Sequence, residues 1–201
     1  MRTVTLYARV DPEKCPGCVI CKSVCPTVSI TLQNRLAVID LETCSGCGAC
    51  EQRCPTEAIT LQKRDEPRVL YVDVSQVDYA GVRELCARAH LHPEQVVCFC
   101  TTTRAEEVAA AIILGASTPE DLSRQVGLRT GCKVECIQPA LRLLEAAGKD
   151  PGKAPGWQWY GRTVTAWEIP EGVKAKYSKR GFYFDEDVRL LSKVVDATGA
   201  E

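Results

Sequence analysis

The chain has 201 residues and 13 cysteines, and eight of those cysteines fall into two runs of identical spacing. Cys15, Cys18, Cys21 and Cys25 stand before Pro26; Cys44, Cys47, Cys50 and Cys54 stand before Pro55. Both runs read C-x2-C-x2-C-x3-C-P. A thiolate is a soft ligand for iron, and a C-x2-C-x2-C loop can turn three sulfurs toward three irons of a [4Fe–4S] core. In paired runs of this kind the fourth cysteine, ahead of proline, ligates the other cluster. The spacing therefore assigns Cys15, Cys18, Cys21 and Cys54 to one cluster, and Cys44, Cys47, Cys50 and Cys25 to a second. A zinc ribbon fits less well, because zinc takes four ligands in two pairs and leaves other cysteines of these runs unused.

A second constellation follows downstream. Cys98-x-Cys100 and Cys132-x3-Cys136 supply four thiolates in a helical context. Such a set suits a [2Fe–2S] cluster, with tetrahedral zinc as the alternative. His90 and His92 lie at a helix end and do not have the spacing of a site in which two histidines replace two cysteines. Cys86 is the one cysteine outside the three sets. It falls on the apolar face of a helix, where a free cysteine acts as a small hydrophobe.

The elements that must position these groups can be read from periodicity and punctuation. Val10–Gln33 superposes on Ile39–Gln62 with all four cysteines, Gly17 on Gly46 and Pro26 on Pro55. A repeat this short implies two halves packed on each other. Strands are expected at Thr3–Arg9, Ser29–Gln33, Leu36–Asp40 and Ala58–Gln62, with Asn34-Arg35 as a two-residue turn. Short helices should follow Cys21 and Cys50. Lys63–Pro67 reads as a charged break, followed by a strand at Arg68–Val74 and an amphipathic helix from Asp78. Thr103 and Glu106 have capping-box spacing for a helix over Arg104–Leu114. Thr118-Pro119 opens a second helix, and a third follows Cys136 and stops at Gly148. Lys149–Gly156 is a Pro/Gly linker by composition. Beyond it lie Trp157, Trp159, Tyr160, Trp167, Tyr177, Phe182, Tyr183 and Phe184, interleaved with Lys174, Lys176, Lys179 and Arg180, and a short helix at Val188–Val195.

Residues 1–66 resemble the bacterial 2[4Fe–4S] ferredoxins. Residues 96–149, with a helix–turn–helix between the cysteine pairs and Thr130-Gly131-Cys132 before the second pair, resemble the bacterioferritin-associated-ferredoxin-like (BFD-like) domain. The second cysteine spacing departs from the usual one of that family. The resemblances imply an α+β chain: a pseudo-twofold ferredoxin-type domain (1–66), a connecting strand and helix (67–95), a helical BFD-like [2Fe–2S] domain (96–149), and an irregular or β aromatic-rich interaction arm (150–201). The implied cofactors are two [4Fe–4S] clusters and one [2Fe–2S] cluster. The arm has two readings, a β-rich cap over its own core or a docking segment for a partner, since aromatic and basic residues dominate interface hot spots.

The formal charge of −1 excludes a globally basic nucleic-acid binder. The first nine residues lack an apolar core of the secretory kind, and the longest apolar run, Val108–Ala116, is about half of the ~20 residues a membrane span requires. A cytoplasmic protein without a membrane span is expected, in which C-x2-C groups are metal sites rather than disulfides. No dinucleotide fingerprint, phosphate loop or nucleophile–base pair is visible. The expectation is a non-catalytic electron-transfer subunit in a hetero-oligomer, with no substrate site of its own. By resemblance, its partner is a flavin-dependent dehydrogenase or oxidase, or an anaerobic metalloenzyme. The alternatives are a BFD-like adaptor for ferritin iron mobilisation and a freely diffusing ferredoxin.

Overall fold

The computed structural model describes residues 1–197. In the N-terminal half, β1 (Arg2–Val10), β2 (Ile30–Gln33), β3 (Leu36–Ile39) and β4 (Ile59–Leu70) form two antiparallel pairs, β1 with β4 and β2 with β3. Asn34 and Arg35 join β2 to β3 with φ of 49° and 64°, as a two-residue hairpin turn with right-handed strand twist requires. Two single-turn helices, α1 (Ile20–Val24) and α2 (Ala49–Gln52), contain Cys21 and Cys50 rather than following them. Both helices are entered through a left-handed residue at the same place in the repeat, Val19 and Gly48.

The charged stretch at Lys63–Pro67 does not break the sheet. Strand β4 runs through it to Leu70, past the boundary expected at residue 66, and Val69 still pairs with Thr3. The stretch is a bulge: Val4 pairs with Arg68 and Leu6 with Lys63, so Thr5 alone stands opposite residues 64–67. Pro67 has no N–H for the ladder, and a bulge is where a strand accommodates such a residue. The bulge frees the Arg64 side chain to reach the loop carrying Cys44, as described below.

The second half is built from α3 (Tyr79–Arg88), a small hairpin of β5 (Val96–Cys98) and β6 (Thr103–Arg104), then α4 (Ala105–Ile113), α5 (Pro119–Gln125) and α6 (Ile137–Ala146). These helices share one core, in which Val82, Leu85, Val108, Leu122, Leu128, Leu143 and Leu144 are fully enclosed. Each such side chain contributes about 1.5–3 kcal/mol by leaving water. Helix α3 belongs to this core, so the segment read as a connector is part of the helical body. Helix α4 starts one residue later than the Thr103/Glu106 spacing predicts. Thr103 is spent in β6, its hydroxyl donating to the Val126 carbonyl at 3.1 Å, and Glu107 instead accepts the Arg104 N–H at 2.8 Å. Helix α5 begins as its sequence predicts, with Thr118 Oγ1 accepting the Asp121 N–H at 3.2 Å and Pro119 in the first position.

The C-terminal arm corrects the expectation of irregular or β structure. Its described part contains a 3₁₀ turn at Ala166–Glu168, α7 (Glu171–Tyr177) and α8 (Phe184–Val195), with no strand. Asp185, Glu186 and Asp187 in the first turn of α8 suit the positive end of its dipole, and Lys174 of α7 pairs with Asp185 at 3.0 Å. These helix signals outweigh the β preference of the aromatics. Residues 198–201 of the expected arm lie outside the described residues. No described helix is long and apolar enough to cross a membrane.

Candidate metal centres

Each cysteine run bends around a cavity, and each cavity takes its fourth cysteine from the other run. Cys15, Cys18 and Cys21 line one small cavity together with Cys54. Cys44, Cys47 and Cys50 line another together with Cys25. Apolar side chains make up most of the remaining walls, Leu32, Ala37, Ala58 and Ile59 in the first and Ala8, Ile30, Ile39 and Ala49 in the second, where Thr27, Ser29 and Ser45 join them. Gly17 and Gly46 hold the equivalent tight turns at φ of 73° and 60°. A Cβ there would come within 2.2 Å of the Arg35 carbonyl oxygen and 2.3 Å of that of Leu6, so no larger residue fits.

The sulfurs are surrounded by donors. Ser29 N–H points at Cys25 Sγ at 3.4 Å and Ala58 N–H at Cys54 Sγ at 3.2 Å, with Thr27 and Thr56 hydroxyls beside the same sulfurs. Burial alone would raise the Cys54 thiol, yet the N–H groups of Thr56, Ala58 and Ile59 and the Thr56 hydroxyl hold it below its usual value. Deeper in, burial pushes Cys50 up to about 12, with Cys47, Cys25 and Cys44 adding their repulsion. Burial likewise raises Cys21, reinforced by Cys15 and Cys18. Four thiolates gathered in an apolar pocket repel one another, and a cationic core among them removes that cost. The donor set, the walls and the N–H groups aimed at sulfur fit a [4Fe–4S] group.

The other four cysteines also converge. Cys98 ends β5 and Cys136 opens α6, both buried; Cys100 and Cys132 are exposed on the adjoining loops. The thiols of Cys98 and Cys136 are close enough to interact, and the neighbouring thiol lowers Cys98 while it and burial raise Cys136. On the outer side the Cys132 N–H points at Cys100 Sγ at 3.3 Å, and on the inner side the Arg129 N–H points at Cys136 Sγ at 3.2 Å. Gly131 makes this approach possible, since a Cβ there would meet the Cys100 Cβ at 2.5 Å. The hairpin β5–β6, which periodicity did not reveal, is what brings Cys98 and Cys100 to the mouth of α6. Four thiolates across the protein surface, two inside and two outside, fit a [2Fe–2S] group.

Several residues that sequence reasoning missed tie the sites together. Arg2 Nη1 donates to the Thr130 carbonyl at 2.8 Å and to the Thr130 hydroxyl, while its Nη2 donates to the Ser45 carbonyl at 3.3 Å. Arg124 Nη1 donates to the Thr27 carbonyl at 2.9 Å. Arg64 donates to the carbonyls of Leu41 and Cys44 at 2.6 and 3.0 Å, and Arg68 to that of Cys44 at 3.2 Å. Arg129, in the left-handed region at φ 63°, forms an ion pair with Glu120 at 2.8 Å, the side chains 3% and 9% exposed. The arm completes this pair: Tyr160 donates to Glu120, and Gln158 accepts from Arg129. No spacing rule marks any of these residues, because their partners lie far away in sequence. Cys86 is fully buried in the helical core, as expected of a small hydrophobe, and burial pushes its thiol up to about 12.

The arm both packs and exposes. Gln138 of α6 holds the Gly161 carbonyl at 2.9 Å and the Thr163 N–H at 2.9 Å, and Trp167 stacks on His90 with ring centroids 4.2 Å apart. Trp157 and Trp159 remain 62% and 65% exposed over an open groove that also carries Arg53, Cys132 and Lys133.

Comparison with known families finds a match within each half. Residues 37–60 match the 4Fe-4S binding domain, and residues 96–146 match the BFD-like [2Fe-2S] binding domain. No curated protein matches the chain. The chain thus joins, on one polypeptide, a 4Fe-4S binding domain and a BFD-like [2Fe-2S] binding domain.

Proposed function

We propose that the protein is an electron-transfer subunit holding three iron–sulfur clusters and relaying electrons to or from a partner oxidoreductase. The ligands are Cys15, Cys18, Cys21 and Cys54 for one [4Fe–4S] cluster, Cys44, Cys47, Cys50 and Cys25 for the other, and Cys98, Cys100, Cys132 and Cys136 for the [2Fe–2S] cluster. The observation that carries this reading is the exchange of the fourth cysteine between two matched cavities. It also supports a pseudo-twofold arrangement of the N-terminal domain, in which each run closes the site of the other. When bound, the clusters supply one-electron chemistry. The chain's own residues hold the sulfurs, surround two sites with mostly apolar side chains and leave the third open to solvent at Cys100 and Cys132. An exposed edge with Trp157 and Trp159 beside it suits docking on a flavin-dependent dehydrogenase or oxidase, or on an anaerobic metalloenzyme, in a reducing compartment.

Anaerobically purified protein is expected to contain about ten irons, four in each [4Fe–4S] and two in the [2Fe–2S] site, with equal sulfide. A reproducible content of eight irons and one zinc would remove the [2Fe–2S] assignment. Affinity capture from native extract is expected to retain a flavoprotein or metalloenzyme; retention of a ferritin shell would favour the iron-mobilising role instead.

A further inference from the structure

The two cysteine cavities are alike in their sulfurs and unlike in their surroundings. The crossing cysteines, Cys25 and Cys54, each accept one backbone N–H from four residues on and each face one threonine hydroxyl. The acids match as well: Asp11 and Asp40 accept the N–H of Glu13 and Glu42, each at 3.0 Å. Cations break the match. Arg64 and Arg68 converge on the Cys44 carbonyl, and Arg2 holds that of Ser45. Cys44 and Ser45 both line the Cys25/Cys44/Cys47/Cys50 cavity. Among the described residues no arginine or lysine donates a hydrogen bond to any residue lining the other cavity. Arg124 also touches this side at Thr27, but Asp121 offsets it at 2.6 Å. Asp40 and Glu42 face Arg68, whereas Arg2 and Arg64 have no carboxylate partner among the described residues. Two guanidiniums meeting at one carbonyl repel each other, and an anionic group next to them relieves that repulsion.

A cluster gains one negative charge on reduction, so fixed positive charge at the rim of its pocket favours the reduced form. Position adds to this. Ala49 lines the same cavity and also the groove that carries Cys132, while no residue lining the Cys15/Cys18/Cys21/Cys54 cavity lines that groove. We infer that Arg2, Arg64 and Arg68 make the Cys25/Cys44/Cys47/Cys50 site the more readily reduced of the two [4Fe–4S] sites, and so the relay point facing the C-terminal half. This rests on the cluster assignment proposed above.

The test is an EPR-monitored redox titration of the full-length holo-protein, comparing wild type with Arg64→Gln, Arg64→Lys and a control, Arg88→Gln, whose charge serves Glu84 on α3. Cys47→Ser identifies the wave belonging to the second site. In wild type that wave is expected to lie at the higher potential. Arg64→Gln should lower it, by about 59 mV for each tenfold loss in the reduced-to-oxidised ratio, and leave the lower wave in place. Arg64→Lys should restore most of the difference, which a purely structural role would not do, and Arg88→Gln should move neither wave. If Arg64→Gln loses iron, Arg68→Gln, which gives up a single hydrogen bond, is read in its place. The inference is overturned if both waves shift together, if neither shifts, or if Cys47→Ser alters the lower wave. A chain without two [4Fe–4S] signals contradicts the cluster assignment itself.

Discussion

Arg2 Nη1 donates to the carbonyl oxygen of Thr130 at 2.8 Å across 128 residues of sequence. The same guanidinium reaches Ser45 beside the second cysteine run, so one side chain at the start of β1 fastens the 4Fe-4S half to the loop that carries Cys132. Charged hydrogen bonds of this kind contribute about 1.5–3 kcal/mol each. Arg2→Ala is therefore expected to lower the melting temperature of the holo-protein, and to make the visible absorption of the C-terminal site bleach earlier than that of the N-terminal ones. An unchanged melt would show that the halves are joined by other contacts.

The Arg129–Glu120 pair is almost fully buried, and the arm supplies two of its partners. Removing one side of such a pair leaves an uncompensated charge and costs about 3–5 kcal/mol. Glu120→Ala should approach that loss in a denaturant titration. Tyr160→Phe, which removes only a donor to Glu120, should cost about 1.5–3 kcal/mol and speed proteolysis within residues 149–156. Equal cleavage rates in wild type and variant would mean that the other contacts of the arm, among them Gln158 with Arg129 and Gly161 with Gln138, hold it without Tyr160.

Metal removal should act unevenly. The N-terminal core is small and contains Cys21, Cys44 and Cys50 within it, with Cys15, Cys25 and Cys54 packed against it, so the sites occupy much of its interior. The helical core from Val72 to Leu144 is built from apolar contacts between α3, α4, α5 and α6. Iron chelation is expected to leave residues 1–70 sensitive to protease while residues 72–146 stay protected, with most helical circular dichroism retained. Loss of both halves at the same chelator concentration would contradict this division.

Cys86 provides a test of which thiols matter. Its burial at 0% exposure keeps the thiol protonated at neutral pH. Cys86→Ser should leave every EPR signal unchanged while reducing stability by about 1–3 kcal/mol, the cost of a buried hydroxyl without a partner. A changed signal would place Cys86 at a cluster.

Much of the candidate site was legible in the sequence because cysteine spacing is local: each run and each pair names its own cysteines, and the structure brings them together in three places. Asn34-Arg35, Thr118-Pro119 and Gly148 also announced their turns and caps, since each acts on its own backbone. What could not be read depends on partners distant in sequence. The bulge at residues 64–67 looks like a break until β1 is placed beside it. Arg2, Arg124 and Arg129 look like ordinary surface charges until Ser45, Thr27 and Glu120 are brought near. In the arm, the helix expected at Val188–Val195 begins four residues earlier, at Phe184, and the rest, expected irregular or β, includes a second helix joined to it by the Lys174–Asp185 pair.

The exchange of the fourth cysteine is tested most directly by EPR of reduced Cys25→Ser protein, with Cys18→Ser and Cys47→Ser as markers for the two [4Fe–4S] signals. Cys25 lines the cavity of Cys44, Cys47 and Cys50, so its replacement is expected to alter the Cys47-dependent signal and preserve the Cys18-dependent one. Alteration of the Cys18-dependent signal alone would contradict the exchange.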